Sequence, residues 1–206
     1  MADLARALSR FRQPGLREDS VKITASGVAW DRRLHSFPRI ALLPGPVRRF
    51  EQIAEDLGLD LTALFPYLKD ATNVHVGVEG SDFKLYIELA DGEFAFLAIK
   101  RDSALNRYKR GAKAKGIVAN ACAALGGVVL EVTEDNSTRV SYDVHLADTE
   151  LTVAQMPKLD KLLSDFNLPV DTLTAIADQP IGHFASGVGR DGKDFATIYY
   201  GARHDH

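Results

Sequence analysis

The sequence predicts an α+β protein in which repeated β-hairpins and helices form a curved antiparallel sheet or partial barrel, covered by helices on one face. Three observations predict it. The stretch HVGVEGSDFKLYIEL (75–89) alternates apolar and polar residues on both sides of Gly80-Ser81. A similar phrase, HFASGVGRDGKDFATIYYG, returns near the C-terminus. Between such hairpins lie segments with helical spacing, which would cover the apolar face that a hairpin alone leaves wet. At 206 residues and 46% apolar content the chain is expected to form a single domain over 1–206. Within it, 1–43 would hold an N-terminal helix and strands of undefined pairing, and 44–206 the helix and hairpin repeats.

Residues 2–12 read as a short amphipathic helix stopped by Pro14 and Gly15, and VKITASGVAW (21–30) reads as a strand or hairpin arm. In VRRFEQIAEDLG, Val47, Phe50, Ile53, Ala54 and Leu57 recur at helical spacing, and Gly58 is a natural C-terminal stop. LTALFPYLKDA supplies a second short helix. In the first hairpin a two-residue turn at Gly80-Ser81 pairs Val78 with Phe83, Val76 with Leu85 and Val74 with Ile87. The same register sets Glu79 opposite Asp82, Gly77 opposite Lys84 and His75 opposite Tyr86, so it sorts the two faces by polarity.

EFAFLAIK (93–100) makes a third strand. SALNRYKRGAKAKGIVANACAALGG is alanine-rich and opens on Ser103, so it is expected to be one long helix in spite of Gly111 and Gly116. A second hairpin joins VVLEVT to RVSYDVHL through EDNS, with Val128, Leu130, Val132, Val140, Tyr142 and Val144 on one face. LTVAQMPKLDKLLSDFN is helical with a break at Pro157, DTLTAIAD forms a short helix, and Asp191-Gly192 centres a type I′ turn in the last hairpin.

The polar face of these hairpins gathers His75, Lys84, Tyr86 and Glu88 from the first. Glu131, Arg139, Ser141, Asp143 and His145 come from the second, and Thr197 and Tyr199 from the third. One reading is a sheet face open to water. The other is the lining of a cavity in a closed or curved sheet, where phenols beside cations have a use.

The tripeptide Lys84-Leu85-Tyr86, its counterpart Thr197-Ile198-Tyr199, and the order of helices and hairpins over about 72–203 resemble the aromatic prenyltransferases of the ABBA or PT-barrel type. The spacing is similar to that of the cyanobactin peptide prenyltransferases in particular. The resemblance implies a ten-stranded barrel that binds an isoprenoid diphosphate and an aromatic or peptide acceptor. It implies that Lys84 contacts the diphosphate, and that Tyr86 and Tyr199 bond phosphate oxygens or screen an allylic cation. Strand parity adds Arg139 to the binding set. Glu88 and Asp143 both have the chemistry of a general base, since a carboxylate in a partly dry cavity can have its pKa raised; nothing in the sequence chooses between them. The chain is shorter than is usual in that family and shows about four repeats, so a complete single-chain barrel is not expected. Either two copies complete one another as a homo-oligomer, or the architecture persists without the reaction.

The alternative is a non-catalytic binding or assembly protein that docks a partner on the sheet face or edge. His75, His145 and His183 on separate hairpins suggest a three-histidine metal site, and the terminal His204-Asp205-His206 could also bind metal. No H-x-H or HExxH spacing fixes two ligands among His75, His145 and His183, which read more readily as structural residues. The terminal tripeptide reads as a frayed tail, and the expected site holds no metal and no cofactor. The basic run Lys100 to Lys115 could grip a phosphate, a nucleic acid or an acidic partner, or, as the more favoured reading, be a solvated helix face with Arg107 and Arg110 together. The net charge of -3 gives no reason to expect a nucleic-acid partner. The lone Cys122 suits a reducing, cytoplasmic setting, and no apolar run is long enough for membrane insertion. GVGRDGK lacks the context of a dinucleotide fingerprint, GPVRRF lacks the end of a P-loop, and Ser26, Ser36 and Ser186 lack a nucleophile elbow.

Overall fold

A computed structural model, which describes residues 3–204, shows a closed antiparallel barrel of ten strands. The strands are β1 (Leu16–Thr24), β2 (Gly27–Pro38), β3 (Ala71–Glu79), β4 (Asp82–Leu89) and β5 (Phe94–Lys100). They continue with β6 (Asn106–Arg110), β7 (Val128–Glu134), β8 (Val140–His145), β9 (Ile181–Val188) and β10 (Asp194–His204). Each pairs with its neighbour in sequence, and β10 returns to β1, where Val21 lies opposite Ile198 and Lys22 opposite Thr197. The expected barrel is present, and it goes beyond a curved sheet or partial barrel: one chain completes the ring, so no second copy is needed to close it. Full closure removes every sheet edge.

Helices α1 (Leu4–Leu8), α2 (Pro46–Leu57), α3 (Ile117–Ala123) and α4 (Leu159–Asp165) pack on the outside with several 3₁₀ turns. Pro46 starts α2 at a position where its missing N–H costs nothing. Gly58, at φ 66°, ends it, with the Leu59 N–H bonding to Ala54 O and the Gly58 N–H to Glu55 O. Phe50, Ile53, Ala54 and Leu57 are buried as their spacing predicts, whereas Val47 is exposed. They form one core with the outward residues Val74, Val76, Leu85 and Ile87. A second core joins Val118, Cys122, Leu162 and Leu163 to Val21, Val144, Phe184 and Ile198. Each such aliphatic or aromatic side chain contributes roughly 1.5–3 kcal/mol on burial, so the two external cores, rather than the lumen, stabilise the ring.

The first hairpin has the register that its alternation predicts, pairing Val78 with Phe83 through Val74 with Ile87, and Gly80 takes φ 60° at the turn. Elsewhere local pattern and structure part. The expected long helix from Ser103 is instead β6 followed by the short α3, because a barrel at this point needs a strand to pair with β5 and β7. Gly111 and Gly116, both at positive φ, separate the two elements. Ser103 holds the β5–β6 turn, receiving the Lys100 N–H and donating to Lys100 O, and caps no helix. Arg107 and Arg110, on a strand and three residues apart, point to opposite faces.

In the second hairpin Leu130 lies opposite Asp143 and Val132 opposite Ser141. Leu130 and Val132 thus face inward beside Ala98 and Tyr108, and Glu131 turns outward, where it accepts a bond from the Tyr142 hydroxyl at 3.3 Å. The apolar residues of β7 were expected on the helix-covered face. A patch of lumen wall at Ala98 and Tyr108 claims them instead. In the last hairpin the turn is centred on Arg190-Asp191, with Gly192 following at φ 72° and a Gly189 N–H to Lys193 O bond. This is the bulged three-residue loop rather than a two-residue type I′ turn. Helical segments occur where Pro157 and DTLTAIAD place them, as Leu159–Asp165 and Thr174–Ile176. Among the described residues no helix is long and apolar enough to cross a membrane.

Strands β8 and β9 approach closely at Gly187. A Cβ there would stand 2.2 Å from Val140 O and 2.5 Å from Ser141 Cα, both backbone atoms. Gly187→Ala is therefore expected to lower stability by about 1–3 kcal/mol. Urea unfolding checks this, and an unchanged midpoint would contradict the close approach.

Candidate active site

Strand alternation alone decides which side chains enter the lumen. On β4, Lys84, Tyr86 and Glu88 turn in while Leu85 and Ile87 turn out into the helix-covered core. On β10, Thr197 and Tyr199 turn in and Ile198 turns out. The lumen holds two chambers, of about 310 and 580 Å³. Tyr86, Tyr108, Tyr199 and Asp143 line both, so they form the waist between them.

The smaller chamber is cationic. Lys22, Arg32, Lys84, Lys100, Arg139 and Arg190 line it against the carboxylates of Glu79, Asp143 and Asp191. Lys84 is 7% exposed, and its ammonium donates to the Tyr108 hydroxyl at 2.9 Å and approaches Asn106 Oδ1 at 3.4 Å. It also stands 4.7 Å from the centre of the Tyr86 ring. Burial first, and then the Arg139 guanidinium, pushes Lys84 down to about 7. Burial likewise lowers Lys22. Burial works to raise Glu79, but Arg32 and Lys100 override it and hold the carboxyl well below its ordinary range. The β9–β10 loop reaches over this end, where Arg190 forms a two-point ion pair with Glu134. Glu134 in turn accepts from Asn106 Nδ2 at 2.9 Å, and Asn106 Oδ1 accepts from Arg139 at 3.0 Å. Arg32 Nε is buried without a hydrogen-bond partner among the described residues.

At the waist, burial raises the phenols of Tyr86, Tyr108 and Tyr199, so they stay protonated. The rings of Tyr86 and Tyr108 lie 5.9 Å apart, and Tyr199 stacks towards His183 at 4.9 Å.

The larger chamber carries Glu18, Glu88, Asp143 and histidines on walls that include Phe37 and Phe96, and its described lining has neither lysine nor arginine. His75 stands 3.5 Å from Glu88 through Nε2 and 2.8 Å from Ser36 through Nδ1. That histidine, and a 2.6 Å bond from Asn73, hold Glu88 below its ordinary range against the effect of burial. The expectation of a raised Glu88 is thus corrected: two donors outweigh desolvation. The 3.5 Å approach of His183 to Glu18 is not an ion pair, since burial drives His183 down to about 4 and Glu18 up. Asp143 is 9% exposed, and its Oδ1 has no hydrogen-bond partner among the described residues.

All six sequence-derived candidates, Lys84, Tyr86, Glu88, Arg139, Asp143 and Tyr199, therefore meet in one lumen. Glu131 does not join them. His145 and His183 come within 4.5 Å, but among the described residues no group of three His, Cys, Asp or Glu side chains is arranged to hold a metal. His204 lies on the lining of the larger chamber, whereas Asp205 and His206 fall outside the described residues. The basic run is largely spent on structure: Arg107 pairs with Asp135, Lys109 with Glu93, and Lys100 with Glu79 and Asp82. Tyr108, Lys22, Arg32, Arg190, Glu18 and Phe96 were missed. Tyr108 was hidden by the helical reading, but the alternation of Ser20 and Lys22 with Val21 and Ile23 was available as a signal.

No family model and no curated protein matches the chain. Solved structures do. The chain is similar to 5-dimethylallyl tryptophan synthase from Streptomyces coelicolor in complex with DMASPP and Trp, with a TM-score of 0.56, 12% identity, and 90% of this chain and 78% of that one covered. A second structure of that synthase gives a TM-score of 0.54 at 11% identity, covering 90% and 80%. NotF prenyltransferase gives 0.50 at 10%, also covering 90% and 80%. Likeness at this identity shows a shared fold: the barrel is that of aromatic prenyltransferases, as the Lys84-Leu85-Tyr86 and Thr197-Ile198-Tyr199 hairpins suggested.

The buried ammonium at the waist has a measurable signature. An unfolded lysine keeps its proton to about 10.4, whereas folded Lys84 releases it near 7. The cost of burying the charge is fully present below pH 7 and is relieved as pH rises, because the unfolded state then binds more protons. Stability of the ligand-free protein should climb between pH 7 and 9, with Lys84 supplying about 1 kcal/mol per pH unit. Lys84→Met should flatten that slope in urea titrations, and an equally steep profile in the variant would contradict it.

Proposed function

We propose that the protein transfers an isoprenoid group from its diphosphate to an aromatic acceptor. The observation that carries this reading is the division of one lumen into a cationic chamber and an acid- and histidine-lined chamber that meet at three tyrosines. The shared fold with aromatic prenyltransferases supports it. In this reading the diphosphate occupies the smaller chamber, where Lys84 and Arg139 bind its oxygens and Lys22 and Arg32 add positive field. The C1–O bond breaks and its electron pair leaves with the diphosphate.

The allylic cation then lies against the faces of Tyr86, Tyr108 and Tyr199. Their raised pKa values matter here, because a neutral phenol offers its ring face without presenting a phenolate to trap the cation. The ring of strands keeps bulk water from the same carbon. The acceptor ring attacks C1 from the larger chamber, forming the new bond, and its displaced proton passes to a carboxylate. Asp143 is suited to that step, since it lines both chambers and has an unpartnered oxygen. Glu88, already bound by Asn73 and close to His75, is the better holding group for the acceptor. The products are the prenylated acceptor, diphosphate and a proton.

Incubation with dimethylallyl or geranyl diphosphate and a panel of aromatic and peptide acceptors, followed by mass spectrometry, tests the proposal. Lys84→Ala is expected to weaken diphosphate binding by about 1.5–3 kcal/mol, roughly 10- to 150-fold. Asp143→Asn is expected to slow product formation by about 10²- to 10⁴-fold. Absence of both product and diphosphate binding overturns the reading; diphosphate capture without product selects a binding protein instead.

A further inference from the structure

Every described lysine and arginine that reaches the lumen lining lies in the smaller chamber, and none lines the larger one. Three carboxyls, Glu18, Glu88 and Asp143, face that larger space. Of its histidines, His183 does not offset them. His183 is half-buried and held neutral at pH 7, with its pKa down at about 4, and it packs against Tyr199. His75 is engaged by Ser36 through Nδ1 and stands at Glu88 through Nε2. His145 stacks on Phe96 and His183. Asp143 is more than nine-tenths buried, lines the chamber, and leaves Oδ1 without a partner, so the wall asks its occupant for a hydrogen-bond donor.

A ligand carboxylate placed here would lose water and gain no lysine or arginine to pair with, beside groups of like charge. A ligand ammonium would gain carboxylate partners and the aromatic lining of Phe96, Tyr86 and Tyr108.

We infer that the larger chamber takes a cationic arylalkylamine, an aromatic ring carrying an ammonium and no carboxylate, with the ammonium held against Glu88. This rests on reading that chamber as the acceptor site, and it narrows the acceptor from aromatic compounds at large to amines. A free amino acid is disfavoured, because its carboxylate would have to sit among Glu18, Glu88 and Asp143.

The test is calorimetric and needs no turnover. Tryptamine, 3-ethylindole and indole-3-propionate share one ring and differ in the charge of the side chain. Titrated at pH 7.5 into the protein without diphosphate, tryptamine is expected to bind at least about tenfold more tightly than the neutral analogue, with the carboxylate weakest. Glu88→Gln should remove most of the amine's advantage while leaving 3-ethylindole within about twofold. The inference is overturned if the carboxylate binds as tightly as the amine, if the neutral analogue matches it, if none of the three binds, or if Glu88→Gln keeps the full preference. The ligand series on the unaltered protein decides the charge question even if the variant fails to fold. A protein that shows the preference but forms no prenylated product would refute the proposed reaction alone.

Discussion

The hydrogen-bonded ladder between β1 and β10 is the constraint on which the rest depends. By bringing Ser20 opposite Tyr199 and Lys22 opposite Thr197, it converts ten strands into a ring with an inside. An open sheet would solvate Lys84 and the tyrosines, and their proton affinities would stay ordinary. Closure buries them, which brings the lysine to the edge of neutrality and keeps the phenols protonated. The electrostatics at the waist are thus a product of topology before they are a product of any single contact.

The sorting of charge follows from strand direction. β4 and β8 run the same way through the wall, and each writes the lumen's gradient in two-residue steps of roughly 6.6 Å. On β4 the order is Lys84, Tyr86, Glu88; from Arg139, just before β8, it continues along that strand as Ser141, Asp143, His145. β9 runs oppositely and begins with His183 at the histidine-lined end. Each strand therefore contributes to both chambers. A shift of register by one residue would send its whole set outward into the helix-covered cores.

The same alternation explains what could be read beforehand. Where a hairpin has a tight turn and clean polarity, as around Gly80, pairing and facing were both legible. Facing failed in β7, because Leu130 and Val132 serve a patch of lumen that is itself apolar, and alternation does not say which side of a sheet is the outside. Strand β6 was lost for a different reason. Asn106–Arg110 is five residues long and sits in an alanine-rich stretch whose helix propensity is realised only at Ile117–Ala123, so the demand for a ring-closing strand prevailed over local preference. The site was legible wherever its residues lay on recognisable hairpins. Tyr108 went unseen with its strand. Arg190 did too, because a loop residue obeys no parity.

The ion pair between Arg190 and Glu134 has a consequence for anything that enters the cationic end. Glu134 already plays the part of an anion there, and through Asn106 it is linked to Arg139 and Lys84. A polyanion arriving from solvent would be an exchange partner rather than a newcomer to an empty seat, and its affinity is set by the difference between its own grip and the carboxylate's. The strand-end glutamate would then compete with any such ligand for Arg190.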